Sequence, residues 1–243
     1  MIAKTLNYLW RIWFILLAFV LLLICFVPVF LLSFKKKHYQ YAYWWMRLFC
    51  LILFYGMGFR YTFQSLTEKK IDPKLQYVII ANHTSIMDIM LTVVLFPHHP
   101  LCFVGKKELE KIPLFGMIYK RICVLVDRSS PRSRARVYQL CSDRMDEGDS
   151  IVIFPEGGVP DDTTVILDNF KDGPFILAHK HKHPLVVLTY VGLKERFPFD
   201  NGKGKPGKIK VFLNDILEPT PTASELKKDS FDKILTILNK YYQ

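Results

Sequence analysis

Several things are scarce in this chain of 243 residues. There are five cysteines, Cys25, Cys50, Cys102, Cys123 and Cys141, an odd number, scattered, with no C-x-x-C pair among them. That excludes a disulfide frame and a zinc-binding spacing, and the apolar neighbours of most of them mark buried, reduced thiols rather than nucleophiles. Acidic residues are also under-represented: 22 Asp and Glu stand against 33 Lys and Arg, a formal net charge of +11. A surplus of that sign suits nucleic acid, anionic lipid or phosphate-bearing substrates. No zinc-finger spacing, helix-turn-helix signal or aromatic RNA-binding signature is present, so nucleic acid drops out and membrane lipids and phosphorylated substrates remain. No internal repeat is visible. The adjacent His98 and His99, between prolines, read as exposed loop residues with nothing nearby to complete a metal set, so no metal site is expected.

Apolar residues, by contrast, make up 51% of the chain, more than a soluble domain of this size needs, and they crowd the N-terminus. Ile12 to Phe34 is apolar except for Ser33. At ~1.5 Å per residue it makes a helix of roughly 34 Å, enough for a hydrocarbon core of about 30 Å. The run is too long for a signal peptide, and no small-x-small cleavage site follows it. Pro28 predicts a kink and leaves a spanning helix and a re-entrant one both open. Lys35-Lys36-Lys37 forms a basic stop that the positive-inside rule places on the cytoplasmic side. Tyr39 to Tyr61 is a second apolar, strongly aromatic segment with Arg47 in its middle, suited to a helix at the headgroup level or to a core helix of the domain. We read residues 1–63 as a membrane-anchoring helical hairpin and 64–243 as the domain it anchors, at the cytoplasmic face of the inner membrane.

Within that domain, short apolar runs (Tyr77–Ala81, Leu101–Gly105, Ile122–Val126, Ile151–Phe154, Leu185–Tyr190, Lys208–Leu213) alternate with helical patterns. The helices begin at Ile86, Pro131, Pro174 and Ser224. Continuous apolar strands between helices predict an α/β fold: a central, mostly parallel sheet flanked by helices.

Chemistry-bearing residues cluster where these strands end. Asn82-His83-Thr84-Ser85-Ile86-Met87-Asp88 follows the first. Residues five apart on one helix point about 140° away from each other. His83 and Asp88 therefore meet only if the histidine lies in the loop and the aspartate in the first helical turn. Such a carboxylate fixes the imidazole tautomer and lets His83 act as general base on an alcohol, although the same pair also serves as a plain structural hydrogen bond. Asp127-Arg128 ends another strand, where the guanidinium suits phosphate or a neighbouring acid. Phe154-Pro155-Glu156-Gly157-Gly158 closes a third, either a backbone that admits a ligand or simply a turn. Phe170-Lys171-Asp172-Gly173 precedes a strand entered through Pro184.

Taken in order, these blocks resemble the glycerophospholipid acyltransferase family, and most closely its bacterial 1-acyl-sn-glycerol-3-phosphate (lysophosphatidic acid) acyltransferases. The resemblance runs from about Tyr77 to Tyr190 through Asn82-His83 and Asp88; Lys106-Lys107-Glu108-Leu109 to Asp127-Arg128; Phe154-Pro155-Glu156-Gly157; and Pro184-Leu185-Val186. It implies transfer of a fatty acyl group from acyl-CoA or acyl-carrier protein to the sn-2 hydroxyl of a lysophospholipid, with no other cofactor. It casts His83 as base and Asp88 as its partner, with Arg128, Glu156 and Gly157, and secondarily Lys106 and Lys171, around the glycerol phosphate. Two departures stand out. Gly158-Val159-Pro160 and the acidic Asp161-Asp162 occupy positions where the family commonly has Thr or Ser and then Arg, and Ile122 replaces a glycine that often opens the Asp-Arg strand. Both leave room for another acceptor, such as a lyso-aminolipid. A different class, a non-catalytic protein that binds anionic lipids, would share the basic and apolar composition without the transfer.

Overall fold

A computed structural model of the chain describes residues 2–242 except 128, 161, 163, 220 and 221, and the side chains of residues 2, 3 and 134 lie outside that description. Two helices come first, α1 (Ile2–Leu32) and α2 (Tyr39–Gly56), joined by a 3-10 turn at Lys36–His38. Then follow β1 (Phe59–Ser65), β2 (Val78–Ala81), α3 (Met87–Leu95), β3 (Leu101–Lys106), a 3-10 turn at Lys107–Lys111, α4 (Phe115–Ile122) and β4 (Cys123–Val126). The chain continues through α5 (Pro131–Asp146), β5 (Ser150–Val152), α6 (Gly173–His181), β6 (Leu185–Val191), α7 (Leu193–Arg196), β7 (Gly207–Leu217) and α8 (Ala223–Tyr242).

The seven strands form one sheet in the order β1-β7-β6-β2-β5-β3-β4. From β6 to β4 all neighbours run parallel; β7 is antiparallel to β6, and β1 runs parallel to β7. Every residue of β2 and β6 is buried, because helices cover both faces, and this is why those strands are unbroken apolar runs. Alternate side chains serve the two layers. Ile79, Ala81, Val186 and Leu188 pack with α1, α2 and α3, while Val78, Ile80, Leu185 and Val187 pack with α5, α6 and α8.

The apolar segment read as running to Tyr61 divides in two. Its helix stops at Gly56, Gly58 turns the chain at φ +78°, and Phe59 starts β1, which pairs along its whole length with β7. Of the two readings of α2, core packing accounts for one face: Tyr43, Leu53 and Phe54 are buried, and the Tyr43 hydroxyl donates to the Phe96 carbonyl at 2.7 Å. Tyr41 and Trp44 on the same helix are exposed. His99 departs from expectation. It is buried, edge-on to Tyr77 (5.6 Å between centroids) and Phe96 (6.1 Å), because the turn after α3 folds back under the start of β2.

Helix α1 is the one described helix long and apolar enough to cross a membrane, and only 17% of its most apolar window is buried. Ile15, Phe19, Leu23 and Val27 are among its exposed residues. Yet α1 is fastened to the domain towards both ends. Near its start, Arg11 Nη2 donates to the carbonyls of Pro198 (2.6 Å) and Lys203 (3.1 Å), and Asn7 donates to Gly202 (3.1 Å). Near its end, Cys25 and Val29 pack on Ile118 of α4, and the Arg121 guanidinium lies 3.8 Å from the Phe34 ring centroid.

The turn between α1 and α2 is held by a buried acid. The Asp149 side chain is fully buried, with Lys36 Nζ 2.6 Å from one oxygen and Arg144 Nε 2.8 Å from the other. Both cations also cover the Tyr39 ring, at 4.6 and 4.4 Å from its centroid. Removing one partner of such a group strands the other charges away from water. Asp149→Ala is therefore expected to lower the unfolding free energy by about 3–5 kcal/mol, measured by denaturant titration in detergent. A loss below 1 kcal/mol on the order set by exposed pairs would show that the cluster is solvated.

Candidate active site

Strand β2 leaves the sheet at Ala81, and side chains determine the path beyond it. Asn82 takes over the pairing to β6: its Oδ1 accepts from the Tyr190 N–H (2.7 Å) and its Nδ2 donates to the Tyr190 carbonyl (2.9 Å). Ser85 donates its hydroxyl to the Phe197 carbonyl (2.7 Å) and accepts from the Met87 N–H (3.2 Å) at the start of α3. His83 sits between these two fixed points, and Asp88 lies in the first turn of α3.

The Asp88 side chain is fully buried. Its Oδ2 lies 3.0 Å from His83 Nδ1 and accepts from the N–H groups of Thr84 (2.5 Å) and Ser85 (2.8 Å). An ionised carboxylate only accepts, so the proton shared with the ring belongs to Nδ1 and Nε2 keeps a lone pair. The ring stacks on Phe154, centroids 4.2 Å apart and planes 13° from parallel, and its side chain is 16% exposed. An imidazole so held can take a proton from a hydroxyl brought to Nε2.

Glu156 lies against this loop from the other side. Its Oε1 accepts from the His83 N–H (2.6 Å) and its Oε2 from the Asp168 N–H (3.0 Å), so it ties the histidine loop to the long segment after β5. Burial is the main influence on its carboxyl, pushed up to about 7; hydrogen bonds from the Asp168 and His83 amides oppose the rise. Gly157 adopts φ +81° and spends its N–H on the Phe154 carbonyl (3.1 Å), the geometry of a tight turn. Lys171 passes beside that turn, 3.6 Å from where a Cβ on Gly157 would stand. Lys106 ends β3. Arg128 lies outside the described residues.

His83, Glu156, Gly157, Lys106 and Lys171 all border one cavity of about 2190 Å³. That is more than twice the ~300–1,000 Å³ of a site for a drug-sized ligand. Apolar side chains from α1 and α2, such as Phe14, Phe19, Leu22 and Phe49, form much of its wall. The space therefore joins a polar end, where a base is poised, to a greasy channel between sheet and N-terminal helices.

A family model described as Acyltransferase matches residues 63–191, more than half of the chain. The chain belongs to the acyltransferase family. Among curated members of that kind it is 28% identical over 151 residues to the 1-acyl-sn-glycerol-3-phosphate acyltransferase of Helicobacter pylori strain J99, which covers 59% of this chain and 62% of the relative. It is also 29% identical over 118 residues to the lyso-ornithine lipid O-acyltransferase of Rhizobium meliloti, covering 48% of this chain and 37% of the relative. Against these curated acyltransferases the match spans between about a third and three fifths of their own length. The fold is that of the 1-acyl-sn-glycerophosphate acyltransferase PlsC of Thermotoga maritima, whose crystal structure superposes with a TM-score of 0.80 at 21% identity, over 98% of this chain and 97% of that one.

Sequence reasoning passed over three residues that shape the acyltransferase site. Phe154, which carries the imidazole, was visible only as the end of a strand. Asn82 and Ser85 stood out only as neighbours of the histidine, whereas their side chains reach β6 and the segment after α7.

Burial of Glu156 leads to a test. With its ordinary value at 4.5 and its native value about 7, the native chain retains a proton that the unfolded chain has released between those limits. Stability from this group then falls as pH rises through that window and is level above it. The decline is expected to reach about 3 kcal/mol. Glu156→Gln, which cannot ionise, should flatten that part of the unfolding free energy measured from pH 4.5 to 8; an unchanged slope would contradict the assignment.

Proposed function

We propose that this protein moves a fatty acyl group from a thioester, acyl-CoA or acyl-carrier protein, to the free hydroxyl of a lysophospholipid, with lysophosphatidic acid as the first acceptor. The observation that carries this reading is the His83–Asp88 pair, its Nε2 unencumbered by the carboxylate, at the polar end of a cavity walled by apolar helices. His83 Nε2 takes the hydroxyl proton as the acceptor oxygen bonds to the thioester carbonyl carbon. The tetrahedral intermediate then collapses, the carbon–sulfur bond breaks, and the departing thiolate takes the proton from the imidazolium. Asp88 holds the ring and balances its transient charge. A thioester is reactive enough that no covalent enzyme intermediate is required.

Around that centre, Lys106 and Lys171 are cations placed to meet a lipid phosphate, with Lys194 and Lys203 also on the cavity wall, and Arg128 joins them in this reading. Glu156, both of whose oxygens are committed to backbone amides, acts by positioning the His83 loop. The acceptor comes from the membrane. Because α1 is fastened to the domain towards both ends, we place it along the membrane surface with its exposed apolar stripe in the leaflet. The basic turn at Lys35-Lys36-Lys37 favours the cytoplasmic side.

One observation supports a second acceptor class. Gly158, Val159 and Pro160 line the cavity where the family commonly supplies an arginine, and Asp162 lines it too, its Oδ1 accepting from the Thr164 N–H and hydroxyl. A carboxylate there suits an ammonium group better than a phosphate, as a lyso-aminolipid would present.

With purified full-length protein, thiol release and product mass spectrometry should report acyl transfer to lysophosphatidic acid. His83→Ala should lower kcat by at least about 10³-fold, and Asp88→Asn, which supports the wrong tautomer, by about 10²–10⁴-fold. Normal transfer by His83→Ala would end the proposal. Running lysophosphatidic acid beside a lyso-aminolipid separates the two acceptors: a higher kcat/KM for the aminolipid, reversed by Asp162→Arg, would establish the second reading.

A further inference from the structure

Three exposed apolar side chains stand apart from α1: Leu109 at 38% exposure, Ile112 at 46% and Met117 at 42%. They belong to one short stretch, the 3-10 turn at Lys107–Lys111 and the beginning of α4. Leu109 and Ile112 also line the cavity that holds His83, so this stretch is a lip of its mouth.

The lip is rigid. Gly116 approaches the preceding turn so closely that a Cβ would stand 2.0 Å from the Glu110 carbonyl oxygen, and its N–H donates to the Ile112 carbonyl at 2.7 Å. Leu114 holds φ +59° at the same bend. This backbone displays its apolar side chains to solvent, at a cost of roughly 25 cal/mol per Å² left in water. The other face of α4 packs on α1 through Ile118, against Cys25 and Val29, so the lip is carried by an element that adjoins that helix. Exposed lysines flank it at Lys107, Lys111 and Lys120, outnumbering the carboxylates of Glu108 and Glu110 in the same turn. Near an anionic leaflet each is worth about 1 kcal/mol.

We infer that Leu109, Ile112 and Met117 insert into the same leaflet as α1, forming a second membrane contact that opens the cavity directly into the acyl-chain layer. The occupant is a bilayer rich in anionic lipids. Three side chains cannot supply the roughly 1,200 Å² of a stable protein interface, whereas a bilayer demands no matching shape and complements both the apolar tip and its basic rim. Lipid then slides toward His83 without passing through water. This inference rests on the membrane association of α1 proposed above and not on the acyl acceptor.

The test places a polarity-sensitive fluorophore on full-length protein through Ile112→Cys and, separately, Met117→Cys. Phe19→Cys on α1 and Lys180→Cys on α6, in the opposite helical layer, serve as references, and the unsubstituted chain gives the background of the native thiols. On vesicles of phosphatidylcholine and phosphatidylglycerol in equal parts, labels at 112 and 117 should shift blue and be quenched by spin-labelled acyl chains, like the label at 19. Quenching by aqueous iodide should be several-fold weaker at 112 and 117 than at 180. If the label at 19 enters the bilayer while either lip label stays in water, the second contact is refuted and the anchor stands. If no label enters, both are refuted. Shielding of the lip labels before vesicles are added would mean that another copy of the chain covers them, which also overturns the inference.

Discussion

Three donors converge on one oxygen. Asp88 Oδ2 accepts from the backbone of Thr84 and Ser85 and sits against the His83 ring, all within one turn of chain. The carboxylate therefore shapes the loop that carries the histidine as well as orienting the histidine itself. Loop and His83–Asp88 pair share one contact, and neither has its geometry without the other. Because Asp88 is fully buried in the first turn of α3, water does not compete for that oxygen, and the positive end of the helix favours the charge. The five-residue spacing is what lets a residue just outside the helix reach one just inside it.

What surrounds the pair keeps this small device in register with the rest of the fold. Asn82 measures the loop against β6, Ser85 against the segment after α7, and Glu156 against the segment after β5. The segments they reach come from different parts of the chain, so the histidine is located by several elements at once. The two buried acids do different work. Asp88 has three donors on one oxygen; Glu156 has one amide on each, and burial dominates its titration. The first gathers its donors on the oxygen that faces the imidazole, and the second braces two loops while burial holds its carboxyl above the usual range.

The layered α/β architecture was legible because β2 and β6 are buried on both faces and therefore read as unbroken apolar runs. Strand β1 was not. Phe59, Tyr61 and Phe63 alternate as a strand should, but they follow an aromatic helix with only Gly56 and Gly58 to mark the change. The pairing of His83 with Asp88 could be anticipated, since it depends on local spacing. The contacts of Glu156, Asn82 and Ser85 could not, because they join residues 73, 108 and 112 positions apart. Glutamate at position 156 was recognisable as important by its company, while its role as a brace depends on which amides the fold brings to it.

Length and hydropathy alone would make α1 a membrane-spanning helix. Its polar contacts argue for another use. Arg11 and Asn7 bond to backbone carbonyls of the segment 198–203, and Arg121 covers Phe34 at the far end. A helix crossing the bilayer would have to release these groups or draw the domain's polar surface into hydrocarbon, and each unpaired group there costs several kcal/mol. Lying along the surface, the same helix keeps every one of these bonds and still buries its exposed stripe. The ion cluster at Asp149 fixes the other end of the hairpin to the sheet. With both ends tied, the hairpin and the cavity wall it contributes keep a fixed relation to the sheet that positions His83.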